Sequence, residues 1–339
     1  MSLLMTAPAG SAPTDVLAVE IAREAGLPDS DAHVVQAVEL LIECLSANVI
    51  PPYEAVIRAV EQVAGATVAG ALRHLAGRFG DAAARIPHRM GACPGVVFRT
   101  LSLLRRENAG FHDVERVCGC DPVLASALLR YANSALFSHA PIFGVAPAIA
   151  YLGIEDAKRV VLAASAKPLL ASPRLPHLWE HSVDVAVIAE QIATAGRSVD
   201  PAEAFVAGLI HDMGRIALQL HDVDALANAH RRLSAHPNCC VPADYVLTGM
   251  DHGEIGAGVL GHWSLPSELL DAVRFHHRPE QHPAPLASVL YLAEEVSQSL
   301  EDFPNQDRLD KAMQLAGLTS LSQFTSDLRR LGTALAMMG

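Results

Sequence analysis

The feature that most constrains this chain is an apolar stretch that runs straight into two ionisable residues. Asp200, Pro201 and Glu203 read as a helix start. The aspartate caps, the proline takes the first position, where no N–H is needed, and the glutamate completes a capping box. The body that follows, Phe205-Val206-Ala207-Gly208-Leu209-Ile210, is apolar on every side and belongs in a core. His211 and Asp212 come next, with Gly214 just beyond. A carboxylate at the end of a buried helix must meet a cation, accept hydrogen bonds or take up a proton. Whatever fold the chain adopts has to bring Asp212 a partner.

Neighbouring segments repeat the pattern. Leu178, Val185, Ile188 and Ile192 form one helical stripe, and His181 falls in the same row. Asp251 and Glu254 make a second capping box that sets His252 in a first helical turn, and Gly253, Gly256, Gly258 and Gly261 leave room there for another backbone. After Pro266 a helix carries Leu269 and Val273, with His276 and His277 on the same face. A further helix, Leu286 to Leu300, carries Glu294 one turn after Leu290. A lone histidine on such a face is ordinarily a satisfied core residue. Together, His181, His211, His252, His276, His277, Asp212 and Glu294 offer the nitrogen and oxygen donors that Mn, Fe, Ni or Zn accept. The alternative is a hydrogen-bonded polar knot in which Arg215 or a histidinium neutralises Asp212.

Helical periodicity, Ala, Leu and Val in abundance and 5% aromatics predict an all-α chain. Asp121-Pro122 opens a helix closed near Asn133-Ser134; Pro147 to Gly153 is a short helix, and Ala157 to Ala166 another. Residues 1–14 read as a disordered tail and 15–85 as a helical N-terminal extension without a chemical motif, with helices over Tyr53 to Ala64 and on to about Gly80. Residues 86–300 form the main domain, in halves 86–175 and 176–300, and 301–339 an amphipathic helical segment with Leu309, Met313 and Ala316 on one face before Gly317. An exposed apolar face on that last helix would argue for a homodimer. The net charge is −12, and the lysines are Lys158, Lys167 and Lys311. The pairs Arg105-Arg106, Arg231-Arg232 and Arg329-Arg330 are too scattered for a phosphate-binding face, which speaks against nucleic acid or an anionic membrane as partner. Cys118, Cys120, Cys239 and Cys240 lack zinc-type spacing and read as buried reduced thiols. The opening residues lack the character of a signal peptide, and no uninterrupted apolar run approaches the ~20 residues of a bilayer span. A cytoplasmic location is expected.

The ordered set of motifs resembles the HD superfamily and, within it, the HDOD (HD-related output domain) family of bacterial signalling proteins, over about residues 86 to 285. Its first part is carried by Met90 to Gly95, Asp121 to Leu124, Leu128 to Ser134 and Ala148 to Gly153. The second part is carried by Leu178 to Ser182, Ala207 to Gly214, Asp251 to Gly256, Trp263 to Pro266 and His276-His277. The resemblance implies an HD-type helical bundle acting as a regulatory module, relaying a state through a signalling protein partner, with one or two divalent transition metal ions (Fe, Mn, Ni or Zn) as cofactors. It places His181, His211 and Asp212 at a first metal, with Glu294 where related enzymes carry an aspartate. His252, His276 and His277 fall at a second. The other activity it implies is a metal-dependent phosphohydrolase acting on a nucleotide or cyclic dinucleotide, with Asp212 and Arg215 as catalytic residues. Arg215 stands where many such phosphodiesterases carry lysine. Arg278-Pro279-Glu280 stands where they carry Gly-Tyr-Pro.

Overall fold

A computed structural model describes residues 21–23, 25–28, 31–37, 53–89, 95, 97, 100, 102, 109–134, 137, 141–171, 177–220, 249–298, 306–321 and 324, and among them every regular element is helical. The tail 1–14, the three arginine pairs, Cys239, Cys240 and the motif from Met90 to Pro94 lie outside the described residues. The chain divides into two units, Met1–Met90 with Ala217–Val259, and Gly91–Ile216 with Leu260–Gly339.

In the first unit, α1 spans Tyr53–Arg89 and is interrupted at Gly65, whose φ of 86° and ψ of 167° break the helical ladder. Glycine reaches that conformation without a Cβ clash. The chain turns back there: the Tyr53 hydroxyl donates to the Leu72 carbonyl at 3.0 Å, a distance impossible along a straight helix across 19 residues. Val56, Ile57, Val60, Val68, Leu72 and Leu75 are buried. The expected pair of helices is therefore present, the second running past Gly80 to Arg89. Within Tyr53–Gly77 the mean hydropathy reaches 1.3, the level of a membrane span, but Glu54, Arg58, Glu61 and Arg73 interrupt the apolar run and the break at Gly65 divides it into two pieces.

The second unit carries the family motifs that are described, apart from the Asp251 segment. Its helices begin with α2 (Phe111–Gly119), α3 (Pro122–Ala132), α4 (Val145–Leu152) and α5 (Ile154–Leu170), and continue with α6 (Leu178–Gly196) and α7 (Pro201–Ile210). Two helices, α8 (Met213–Leu220) and α9 (His252–His262), cross the division between units; then come α10 (Ser267–Phe275), a short 3-10 turn at Pro279–Gln281, α11 (Pro285–Gln298) and α12 (Gln306–Ala316). Asp121 caps α3 through Val123 and Leu124 N–H groups. Beyond α3, the Asn133 side chain donates to and accepts from the Ile142 backbone, both at 2.8 Å, and so pins the loop into α4. Gly153, at φ 85°, ends α4 and opens α5, which starts at Ile154 and runs to Leu170, longer at both ends than expected.

Helix α6 is the axis of this unit: α5, α7, α11 and α12 all pack on it. Its predicted stripe, Leu178, Val185, Ile188 and Ile192, is buried, as are Phe205, Val206, Leu209 and Ile210 of α7. A Cβ on Gly208 would lie 2.6 Å from Ala186 Cα, so this glycine sets how closely α7 approaches α6. The close approach expected at Gly261 is to a Leu270 side chain, 3.5 Å away, rather than to backbone. The row Leu309, Ala312 and Ala316 of α12 is buried within the unit, with Met313 at its edge, so it leaves no free apolar face. Cys118 is buried and Cys120 is exposed, which corrects the expectation that both are buried.

Candidate metal centre

Helix α6 presents His181, the end of α7 presents His211 and Asp212, and α11 presents Glu294; all but the rim histidine His181 are buried. His181, His211 and Asp212 each offer a ligand atom, and these atoms lie within 4.8 Å of one another. Glu294 completes the group: its Oε2 stands 3.2 Å from Nε2 of His181 and 3.2 Å from Nε2 of His211. Asp212 Oδ2 lies 3.8 Å and 3.6 Å from the same two nitrogens. Residues separated by more than a hundred positions thus meet at one point.

The hydrogen bonds behind the rings decide what faces that point. His211 Nδ1 lies 2.7 Å from the Gly208 carbonyl oxygen. A carbonyl can only accept, so Nδ1 carries a proton, and in the neutral form of the ring Nε2 presents a lone pair. His276 repeats the arrangement with the Val273 carbonyl at 2.6 Å. His181 has its Nδ1 3.4 Å from the Ser297 hydroxyl, which sits one turn beyond Glu294. Nε2 of His181 and Nε2 of His211 are buried without a hydrogen-bond partner. Imidazole lone pairs opposite a carboxylate are acceptors facing acceptors, an arrangement that is stable only with a cation between them. The orphaned nitrogens and the mixed N/O donors fit a divalent transition metal. Without one, a proton fills the role. Burial works against charge on His181, but the Glu294 and Asp212 carboxylates outweigh it and raise its pKa. Burial likewise opposes ionisation of Glu294, yet the charge and contacts of His181 and His211 hold its carboxyl well below the ordinary range.

The knot considered as the alternative is also present. Arg215 Nη1 donates to Asp212 Oδ2 at 2.8 Å, one turn along the chain. His276 stands beside the cluster, its ring centre 5.2 Å from that of His211, and His277 packs on His276 at 4.0 Å. Both lie in the turn past the end of α10 rather than on its face. His252 belongs to the first unit, buried in the first turn of α9, where Asp251 Oδ1 accepts from the Glu254 N–H at 2.9 Å.

The sequence profile of the HDOD domain matches residues 90–279, more than half of the chain. The chain belongs to the HDOD family. Glu294 lies beyond the matched HDOD stretch, yet it joins His181 and His211 within it. A curated relative of uncharacterised function from Treponema pallidum (strain Nichols) is 23% identical over 225 residues, covering 62% of this chain and 43% of that protein. The HDOD chain described here thus spans less than half the length of that relative. Two solved structures share its fold. A candidate phosphohydrolase from Shewanella amazonensis SB2B has a TM-score of 0.59 at 23% identity, covering 76% of this chain and 97% of the other. An HDOD domain protein of unknown function from Geobacter sulfurreducens has a TM-score of 0.56 at 20% identity, covering 75% and 93%.

Residues missed by sequence reasoning are Ser297, three positions after Glu294, and Arg308, buried on α12. The signal for Arg308 was there: it lies four residues before Ala312 and eight before Ala316, on the apolar row.

Proposed function

We propose that this chain is a signalling output module. In this reading it binds a divalent transition metal through His181, His211, Asp212 and Glu294, and passes its state to a protein partner in the cytoplasm. The carrying observation is that Arg215, which stands where many related phosphodiesterases carry lysine, is engaged with the chain's own Asp212 at 2.8 Å. A cation so committed supports a rigid, regulated core better than a phosphate-binding pocket. The bound metal would supply the positive charge that lets two carboxylates and two imidazoles share an apolar interior. Since only the folded chain assembles that donor set, binding would also stiffen it. The chain's own groups do the rest. Gly208 fixes the His211 tautomer, Ser297 meets the second nitrogen of His181, and Arg215 orients Asp212. The net charge of −12 accords with a protein partner in place of nucleic acid or an anionic membrane.

The second reading, a metal-dependent phosphohydrolase acting on a nucleotide or cyclic dinucleotide, draws on the same donors. It requires Arg215, whose side chain is 16% exposed, to leave Asp212 and take the phosphate. Metal analysis of the purified chain, with a phosphoesterase screen in Mn, Fe and Mg, separates the two. Bound metal without turnover is the expected result. Turnover abolished in Asp212→Asn would overturn the regulatory reading, and a chain that takes up no metal would leave the Arg215–Asp212 knot as the purpose of the cluster.

A further inference from the structure

Arg308 lies outside the matched family stretch, on α12, yet its side chain is only 7% exposed. A buried guanidinium has to be matched by acceptors. The ones it finds belong to the chain segment that follows His276. Nη1 donates to the His277 carbonyl at 3.0 Å, and Nη2 to Glu280 Oε1 at 2.5 Å, on the 3-10 turn. The guanidinium carbon also stands 5.9 Å from the centre of the Tyr291 ring. Tyr291 precedes Glu294 by three residues on α11. One side chain therefore touches both the turn that carries His276 and His277 and the helix that carries Glu294. Those are the two pieces of chain that flank His211, whose ring is 5.2 Å from that of His276 and whose Nε2 is 3.2 Å from Glu294.

We propose that Arg308 is a positioning residue for the metal centre, and that docking of α12 is thereby coupled to the arrangement of the donors. The turn needs such a brace. Helix α10 stops at Phe275, and the chain continues through a single turn, with the Arg278 N–H donating to the Phe275 carbonyl at 2.8 Å. Arg308 supplies the His277 carbonyl with a donor from a different element, and the fork geometry of arginine lets it hold the carbonyl and Glu280 together. Lysine, with one compact ammonium group, cannot reproduce that fork. The functional consequence rests on the metal reading given above; the positional claim does not.

The test compares Arg308→Met with Leu309→Ala in the full chain. Leu309 is buried on the same helix, so its truncation loosens α12 while keeping the guanidinium. Titration with Mn2+ should show affinity falling about tenfold in Arg308→Met, the size expected when a residue supporting ligands is lost. Affinity should be unchanged in Leu309→Ala, although both variants melt earlier. Separately, long-range 1H–15N spectra of the metal-free chain should show the His276 and His277 ring signals moving in Arg308→Met but not in Leu309→Ala. Equal effects of the two variants on both readouts, or unmoved ring signals in Arg308→Met, would overturn the proposal. Moved rings in a chain whose wild type binds no Mn2+ would sink the metal reading and leave the positioning role standing. Should Arg308→Met not fold, Arg308→Lys takes its place with the same two readouts.

Discussion

Glu190 faces inward from α6, nine residues beyond His181, and is buried. Its Oε1 accepts from Arg159 Nε of α5 at 2.6 Å, and Arg159 also pairs with Asp156. Burial pushes the Glu190 carboxyl up to about 7, because the nearby guanidinium only partly offsets the loss of water. The folded value lies above the ordinary 4.5 of a glutamate carboxyl. This group therefore adds stability below about pH 4.5 and loses that contribution as the pH rises through 7. Urea denaturation of the wild type and Glu190→Gln at pH 4.5 and pH 8 checks the sign. The advantage of glutamate over glutamine should shrink by on the order of 3 kcal/mol toward the alkaline side. A difference that stays constant or grows would be the wrong sign. At the metal centre the residue scale is one of lone pairs: a carbonyl behind His211 holds the ring proton on Nδ1 and leaves Nε2 as a lone pair 3.2 Å from Glu294 Oε2.

Each helix that builds the site is held by a local device. Asp200 accepts from the Ala202 N–H at 2.8 Å and starts α7, while α6 ends on Arg197 in the left-handed conformation at φ 54°. The crossing of α6 and α7 depends on Gly208, since a side chain there would meet the Ala186 backbone at 2.6 and 2.8 Å. Backbone cannot swing aside as a side chain can. Gly208→Ala should therefore destabilise the chain by about 3 kcal/mol, the upper end for overpacking a core, and displace the Gly208 carbonyl that fixes His211. Chemical denaturation measures the first effect, and weakened metal uptake the second. Wild-type stability in that variant would show that the helices part more easily than this contact implies. A second close contact joins α6 to α12, where a Cβ on Gly317 would stand 2.4 Å from the Gly196 carbonyl oxygen.

At the scale of the molecule, a donor set assembled from α6, α7 and α11 exists only in the folded chain, so metal and folding are linked. Saturating Mn2+, at about a hundred times its dissociation constant, should add roughly 2.7 kcal/mol and raise Tm by roughly 5 °C. A chelator should reverse the rise, and a melting curve indifferent to both would count against the centre. The sequence by itself determined the helical class, the resemblance to the HDOD family, the caps at Asp121 and Asp200, and that His211 and Asp212 would be carried into a core. The class and the caps follow from periodicity and composition within a few turns of chain, whereas the family rests on the order of the motifs along it. Only the tertiary structure decided that α1 doubles back at Gly65, that His211 presents Nε2 to Glu294, that Arg215 lies on Asp212, and that Arg308 braces the His277 turn. The reason is geometric. Spacing along a helix tells which face a residue occupies, whereas the meeting of atoms from helices far apart in sequence depends on crossing angles and on backbone approaches such as that at Gly208.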